Sequence, residues 1–99
     1  MKKIYRQGDI LIEEVKEIPR GLEKKEDLII VRGEATGHAH RLTGGTIWIN
    51  KANGGMYLDL ETPQKLIHEE HKTIEIPEGK YIVIRQREYD EKEITIVKD

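Results

Sequence analysis

Short apolar runs rich in Ile and Val recur along the chain, separated by glycine, proline and asparagine. None grows into the apolar stripe of about 10 to 12 residues that an amphipathic helix needs, so the chain reads as all-β. Ile4 and Tyr5 lead into Gly8-Asp9, a strand runs from Ile10 to about Val15, and a turn follows around Pro19-Arg20-Gly21. Leu28 to Arg32 forms the next strand, and Gly33 to Gly37 is a break. Thr46 to Lys51 alternates Ile47 and Ile49 against Trp48, and Asn53-Gly54-Gly55 supplies the positive φ of a hairpin turn. Met56, Leu58 and Leu60 then return on one face.

Thr62-Pro63 fits either the start of a short helix or the end of the Met56 strand, which leaves residues 62–71 open between helix and strand. Ile74 and Ile76 alternate with Glu75, Pro77-Glu78-Gly79 turns, and Lys80 to Arg87 makes a long central strand. Its Tyr81-Ile82-Val83-Ile84 run suits burial on both faces. Ile94 to Val97 reads as a last edge strand flanked by charges that discourage pairing with other chains. About eight short strands imply a small barrel or a two-sheet sandwich, with a jelly-roll-like arrangement among the sandwich forms. The expected core is Ile10, Ile12, Ile30, Ile47, Ile49, Leu58, Ile82, Ile84 and Ile96.

Ninety-nine residues leave room for one core, so residues 1–99 are expected to form a single β domain. The absence of cysteine excludes disulfides, thiolate metal sites and cysteine nucleophiles, so any metal must be held through nitrogen or oxygen. No apolar run approaches the roughly 18 to 20 residues of a membrane span, and MKKIYRQGD lacks a leader's apolar segment. The expectation is a cytoplasmic protein with no membrane partner. Residues 1–50 hold 9 basic and 8 acidic side chains, and residues 51–99 hold 8 and 11, so neither half is a basic arm. A nucleic-acid partner is therefore disfavoured. Abundant Lys, Glu and Ile, with no Cys or Phe, resembles the composition of proteins from hot environments. Edge strands on a small chain make a homodimer a natural state.

The four histidines fall in two tight pairs, His38-Ala39-His40 and His68-Glu69-Glu70-His71. On a strand, His38 and His40 project from one face, a spacing that lets two imidazoles approach one ion at about 2.0 to 2.1 Å. His68 and His71 share a direction only across a helical turn or a tight bend. If the pairs meet, a divalent transition metal such as Zn, Ni or Fe suits the donors better than Mg or Ca. Glu69 and Glu70 are then candidates to orient an imidazole or to replace one as ligand. An enzyme would also need a general base, for which Glu69, Glu70 and Tyr57 are candidates.

Two other readings need no metal. One is a ribonuclease or phosphodiesterase with one histidine as base and another as acid, an arginine holding the anionic group. The other is a non-catalytic accessory protein that binds nucleic acid or protein, with Trp48, Tyr57, Tyr81 and Tyr89 as stacking surfaces. Candidate contacts for a small-molecule or anionic ligand are Arg41, Arg85 and Arg87. Asp9, after Gly8, reads as a turn residue.

His38-Ala39-His40 and Pro77-Glu78-Gly79 together resemble the cupin family over about the middle half of the chain. That resemblance implies a metal-binding jelly roll with His38 and His40 as ligands. Thr43 and Gly44 stand where a cupin glutamate would follow, and Ile82 where its last histidine would stand, so the rest of a ligand set would come from His68 and His71. The string from Gly33 to Arg41, with His68 to His71 and Gln86 to Tyr89, is also similar to uncharacterised small proteins of bacteria and their viruses, a likeness that implies no activity.

Overall fold

The computed structural model describes residues 2–32 and 37–85. Among them the chain forms β1 (Ile4–Gln7), β2 (Ile10–Val15), β3 (Glu23–Lys24), β4 (Ile29–Arg32), β5 (Ala39–Leu42), β6 (Thr46–Ile49), β7 (Met56–Leu60), β8 (Gln64–Ile67), β9 (Ile74–Ile76) and β10 (Gly79–Arg85). They make two antiparallel sheets. One has six strands in the order β1-β2-β10-β7-β6-β3, the other four in the order β4-β5-β8-β9. The all-β expectation therefore takes its sandwich form, with two separate sheets in place of a closed barrel. No helix of the described residues is long and apolar enough to cross a membrane. Arg87, Tyr89, Ile96 and the expected strand Ile94 to Val97 lie outside the described residues.

The β6–β7 hairpin forms as its pattern requires. Ile47 pairs with Leu58 and Ile49 with Met56, and the turn closes through Asn50 N–H to Gly55 O at 2.8 Å. Gly54 takes φ 77°, a conformation an L side chain resists, while the Asn53 side chain accepts the Gly55 N–H at 2.7 Å. Residues 62–71 resolve as strand and bend. Pro63 follows the end of β7, β8 starts at Gln64, and residues 69–71 bend back toward β9.

Strand β10 lies between β2 and β7 and is central, as expected. It is not buried equally on both faces. Tyr81 faces the core opposite Leu58, and Val83 lies opposite Met56 and Ile12. Strand alternation turns Ile82 and Ile84 to the other face, opposite Tyr57 and Leu11, where both are half-buried. Their expected place in the core is thus corrected. Ile49 is also half-buried, because it shares the inward face with Ile47 but stands beside the turn. Ile10, Ile12, Ile30, Ile47 and Leu58 are buried, joined by Leu42, Leu60, Leu66, Ile76 and Tyr81. In a chain without phenylalanine, Tyr81 supplies the bulk. Its ring meets Tyr5 edge-on, and its hydroxyl donates to Pro77 O at 2.7 Å. Burial, reinforced by Tyr5, pushes that hydroxyl's pKa up to about 12.

Candidate metal centre

The two histidine pairs meet. His40 lies in β5 across from Val31, and His68 follows directly on β8, two strands in contact. The ring centroids of His40 and His68 are 4.3 Å apart, His68 and His71 4.6 Å, and His38 and His68 5.7 Å. Two three-residue groups share His68. One is His40, His68 and His71, the other His38, His68 and Glu69, and within each the potential donor atoms lie within 4.8 Å of one another. Donors arranged tetrahedrally about 2.0 to 2.1 Å from one ion stand about 3.3 Å apart. Adjustments of about an ångström close that difference, and the exposed His71 and half-buried His68 have room for them.

One of the four imidazoles is held in a defined state. His40 is 5% exposed, and its Nδ1 stands 2.8 Å from Oε1 of Gln7, a side chain 3% exposed. The Gln7 amide nitrogen donates to Leu66 O at 2.8 Å and to Lys72 O at 2.9 Å. A flipped amide would set its oxygen against two carbonyls, so these bonds fix which end faces His40. An amide oxygen only accepts. His40 Nδ1 must therefore carry the ring proton, which leaves the Nε2 lone pair available to a ligand. Gln7 comes from the six-stranded sheet and His40 from the four-stranded one, so the pair bridges the sheets.

His40 Nε2 stands 3.9 Å from Asp9 Oδ1. Burial first, then the neighbouring His68, drives the His40 pKa down to about 4, while Asp9 opposes the change. His40 is neutral at pH 7, the form that binds metal. In the metal-free protein the unfolded chain takes up this proton more readily than the folded one between pH 6.5 and about 4. The contribution is fully present above pH 6.5 and is lost as the pH falls to about 4. Urea denaturation at pH 7.5 and 4.5 should show this loss, and a His40→Gln variant should lose measurably less. Equal losses in both proteins would assign the pH dependence to other groups.

The remaining candidates take different places. Glu69 accepts the Ala39 N–H at 3.0 Å and approaches the Arg41 guanidinium at 3.4 Å, which ties the bend to β5. The Ala39 bond is the main reason its carboxyl sits below the usual range. Arg41 is thus turned outward onto Glu69. Glu70 lies 3.7 Å from His38 Nδ1, and its backbone N–H donates to His68 Nδ1 at 3.0 Å. Neutral His68 therefore carries its proton on Nε2, and ligation through Nε2 means giving up the Glu70 bond. His40 is preset and His68 adapts. Tyr57 lies on the face of β7 opposite to Leu58, beside Trp48 and Ile82, away from the inward side that carries Gln7.

Three contributors escaped the sequence reading. Gln7 carries no local signal of its role, since its partners lie 33 to 65 residues away. Asp9 reads as a turn residue and is one, but the turn aims it at His40. Gly8 has φ 62°, and a Cβ there would stand 2.6 Å from His71 Nε2. Its lack of a side chain thus serves both the turn and the seating of His71. The Gly8-Asp9 pair next to an inward Gln7 was the available signal.

Fold and site together define a two-sheet antiparallel β-sandwich with a histidine cluster at the seam between its sheets. The chain belongs to the family described as Domain of unknown function (DUF8820), whose model matches residues 6–86, a span that includes Gln7, Asp9 and all four histidines. No curated protein and no solved structure matches it.

Proposed function

We propose that this domain binds one divalent transition-metal ion of the Zn, Ni or Fe type through His40, His68 and His71, with His38 and Glu69 on the flank. The observation that carries this reading is the Gln7–His40 pair. A buried amide, locked by two backbone carbonyls, holds the Nε2 lone pair of a buried imidazole ready to ligate beside two more imidazoles. Hydrogen bonding from the non-ligating nitrogen to a fixed acceptor is the usual support of a metal-bound histidine. Imidazole donors without thiolate favour these metals over Mg or Ca. His71 is exposed and His68 half-buried, so three protein donors face an open side, the pattern of sites that exchange a bound ligand.

Elemental analysis of protein purified without a polyhistidine tag should find near-stoichiometric Zn, Ni or Fe. Gln7→Leu should weaken metal binding by about 10- to 100-fold, measured by competition with a chromophoric chelator. Metal-free protein that neither takes up these ions nor gains thermal stability on their addition would overturn the proposal.

A further inference from the structure

The turn between β1 and β2 lies against the histidine cluster. Gln7 pairs with Ile10, which Arg85 of β10 flanks on its other side, so Gly8 and Asp9 make a two-residue hairpin turn. The Gln7 amide ties the base of this turn to Leu66 and Lys72, and Arg6 Nε donates to Gly8 O at 2.9 Å. The His71 ring rests on Gly8, where a Cβ would stand 2.6 Å from Nε2, and His40 Nε2 stands 3.9 Å from Asp9 Oδ1. Two imidazole nitrogens thus face one turn, and a carboxylate projects from it.

Turn geometry does not account for the Asp9 side chain. Asp27, Asn50 and Asn53 each accept the backbone N–H two residues further on, at 3.1, 2.9 and 2.7 Å, the usual service of such residues in a turn. Asp9 makes no such bond among the described residues, and the polar atom standing before it is His40 Nε2. Those two atoms have no proton to share. Gln7 holds the His40 ring proton on Nδ1, so Nε2 presents a lone pair, and a carboxylate also only accepts. Two acceptors face one another, an arrangement that a cation between them turns from repulsive to attractive. Ligand bonds of about 2.0 to 2.2 Å span at most about 4.3 Å end to end, so one ion reaches both atoms where they stand.

We propose that Asp9 is the fourth ligand of an ion bound by His40, His68 and His71. This role rests on the metal reading above and completes its donor set with one anionic oxygen, which offsets part of the ion's charge. Asp9 stands outside the group of donors already within 4.8 Å of one another, so its side chain, 52% exposed, swings toward His68 and His71 as the ion binds. Being the exposed carboxylate of the set, it is also the ligand that an incoming anion displaces. The side left open by the three imidazoles is covered by Asp9 at rest and opens when an anion takes its place.

The test uses the full, metal-free chain and Co(II), whose visible absorption reports the number and kind of its ligands. The parent should bind one Co(II) with the strong bands of four-coordination. Asp9→Ala should weaken Co(II) binding at least tenfold in chelator competition and shift those bands. It should also let azide bind the loaded centre at least tenfold more tightly, since the azide no longer competes with a tethered carboxylate. Acetate should return the Asp9→Ala spectrum toward the parent's. Circular dichroism of the metal-free variants checks folding, and if Asp9→Ala fails to fold, Asp9→Asn, which keeps the shape of the side chain and removes its charge, decides by the same measurements. If the parent binds Co(II) and the variants match it in affinity and azide response, Asp9 is not a ligand and the metal reading stands. Weaker Co(II) binding with an unchanged spectrum and azide affinity would make Asp9 a distant charge and overturn the assignment equally. A parent that takes up no ion overturns both readings together.

Discussion

His40→Ala is expected to abolish stoichiometric metal binding and to destabilise the metal-free protein, whereas His71→Ala should do only the first. Both changes remove an imidazole donor, and loss of a ligand costs more than the 10- to 100-fold typical of a supporting residue, so affinity should fall by more than about 100-fold in each. Their effects on the apoprotein part because their burial differs. His40 is 5% exposed and satisfies the Gln7 amide oxygen. Truncation leaves a cavity and a buried acceptor without its donor, which costs on the order of 1 to 3 kcal/mol. The His71 ring is exposed, and its loss should stay within about 0.5 kcal/mol. Chelator competition reads the first quantity and urea denaturation of the apoprotein the second. Parent-like metal binding in both variants would remove these histidines from the ligand set, and equal destabilisation would contradict the assigned burial.

Leu58→Ala should cost about 2 to 5 kcal/mol, the range for truncating a fully buried leucine. Leu58 is 0% exposed at the middle of β7, between Tyr81 of β10 and Ile47 of β6. Neighbours on two strands fix the cavity walls, so little collapse is available to soften the loss. Ile84→Ala, in the same sheet but half-buried and turned away from the core, should cost less than Leu58→Ala. Urea denaturation of the two variants side by side decides the matter. A larger loss at Ile84 would mean that the outward face of β10 carries more of the packing than the core face.

That comparison shows where sequence pattern stops being informative. Alternation identifies a face when polar residues mark the other one, as at Met56, Leu58 and Leu60, and there the assignment to one face holds. The Tyr81 to Ile84 run has no polar marker, so its two faces are indistinguishable until the register with β2 and β7 is known. Strand β3 is two residues long, Glu23–Lys24, and its charged composition gives no strand signal. The histidine cluster was legible because two local pairs drew attention to one residue type. Gln7 was not, because its role exists only once β1 crosses the other sheet near β5 and the bend after β8.

The amide of Gln7 also sets a boundary for local opening. β1 is an edge strand with β2 as its sheet neighbour, and Ile4 at its start is 58% exposed. Edge strands fray, and amide hydrogen exchange records how far the fraying runs. Three side-chain hydrogen bonds pin the far end of β1 to Leu66 and His40 of the other sheet and to Lys72 in the segment between β8 and β9. Fraying can therefore begin at Ile4 without reaching the histidines, and exchange protection should rise along four residues from Ile4 to Gln7. An opening that does pass Gln7 frees both sides of the bend that carries His68 and His71, and it releases His40 from its fixed tautomer. The last step of edge melting and the loss of the histidine arrangement are thus one event, with one free energy.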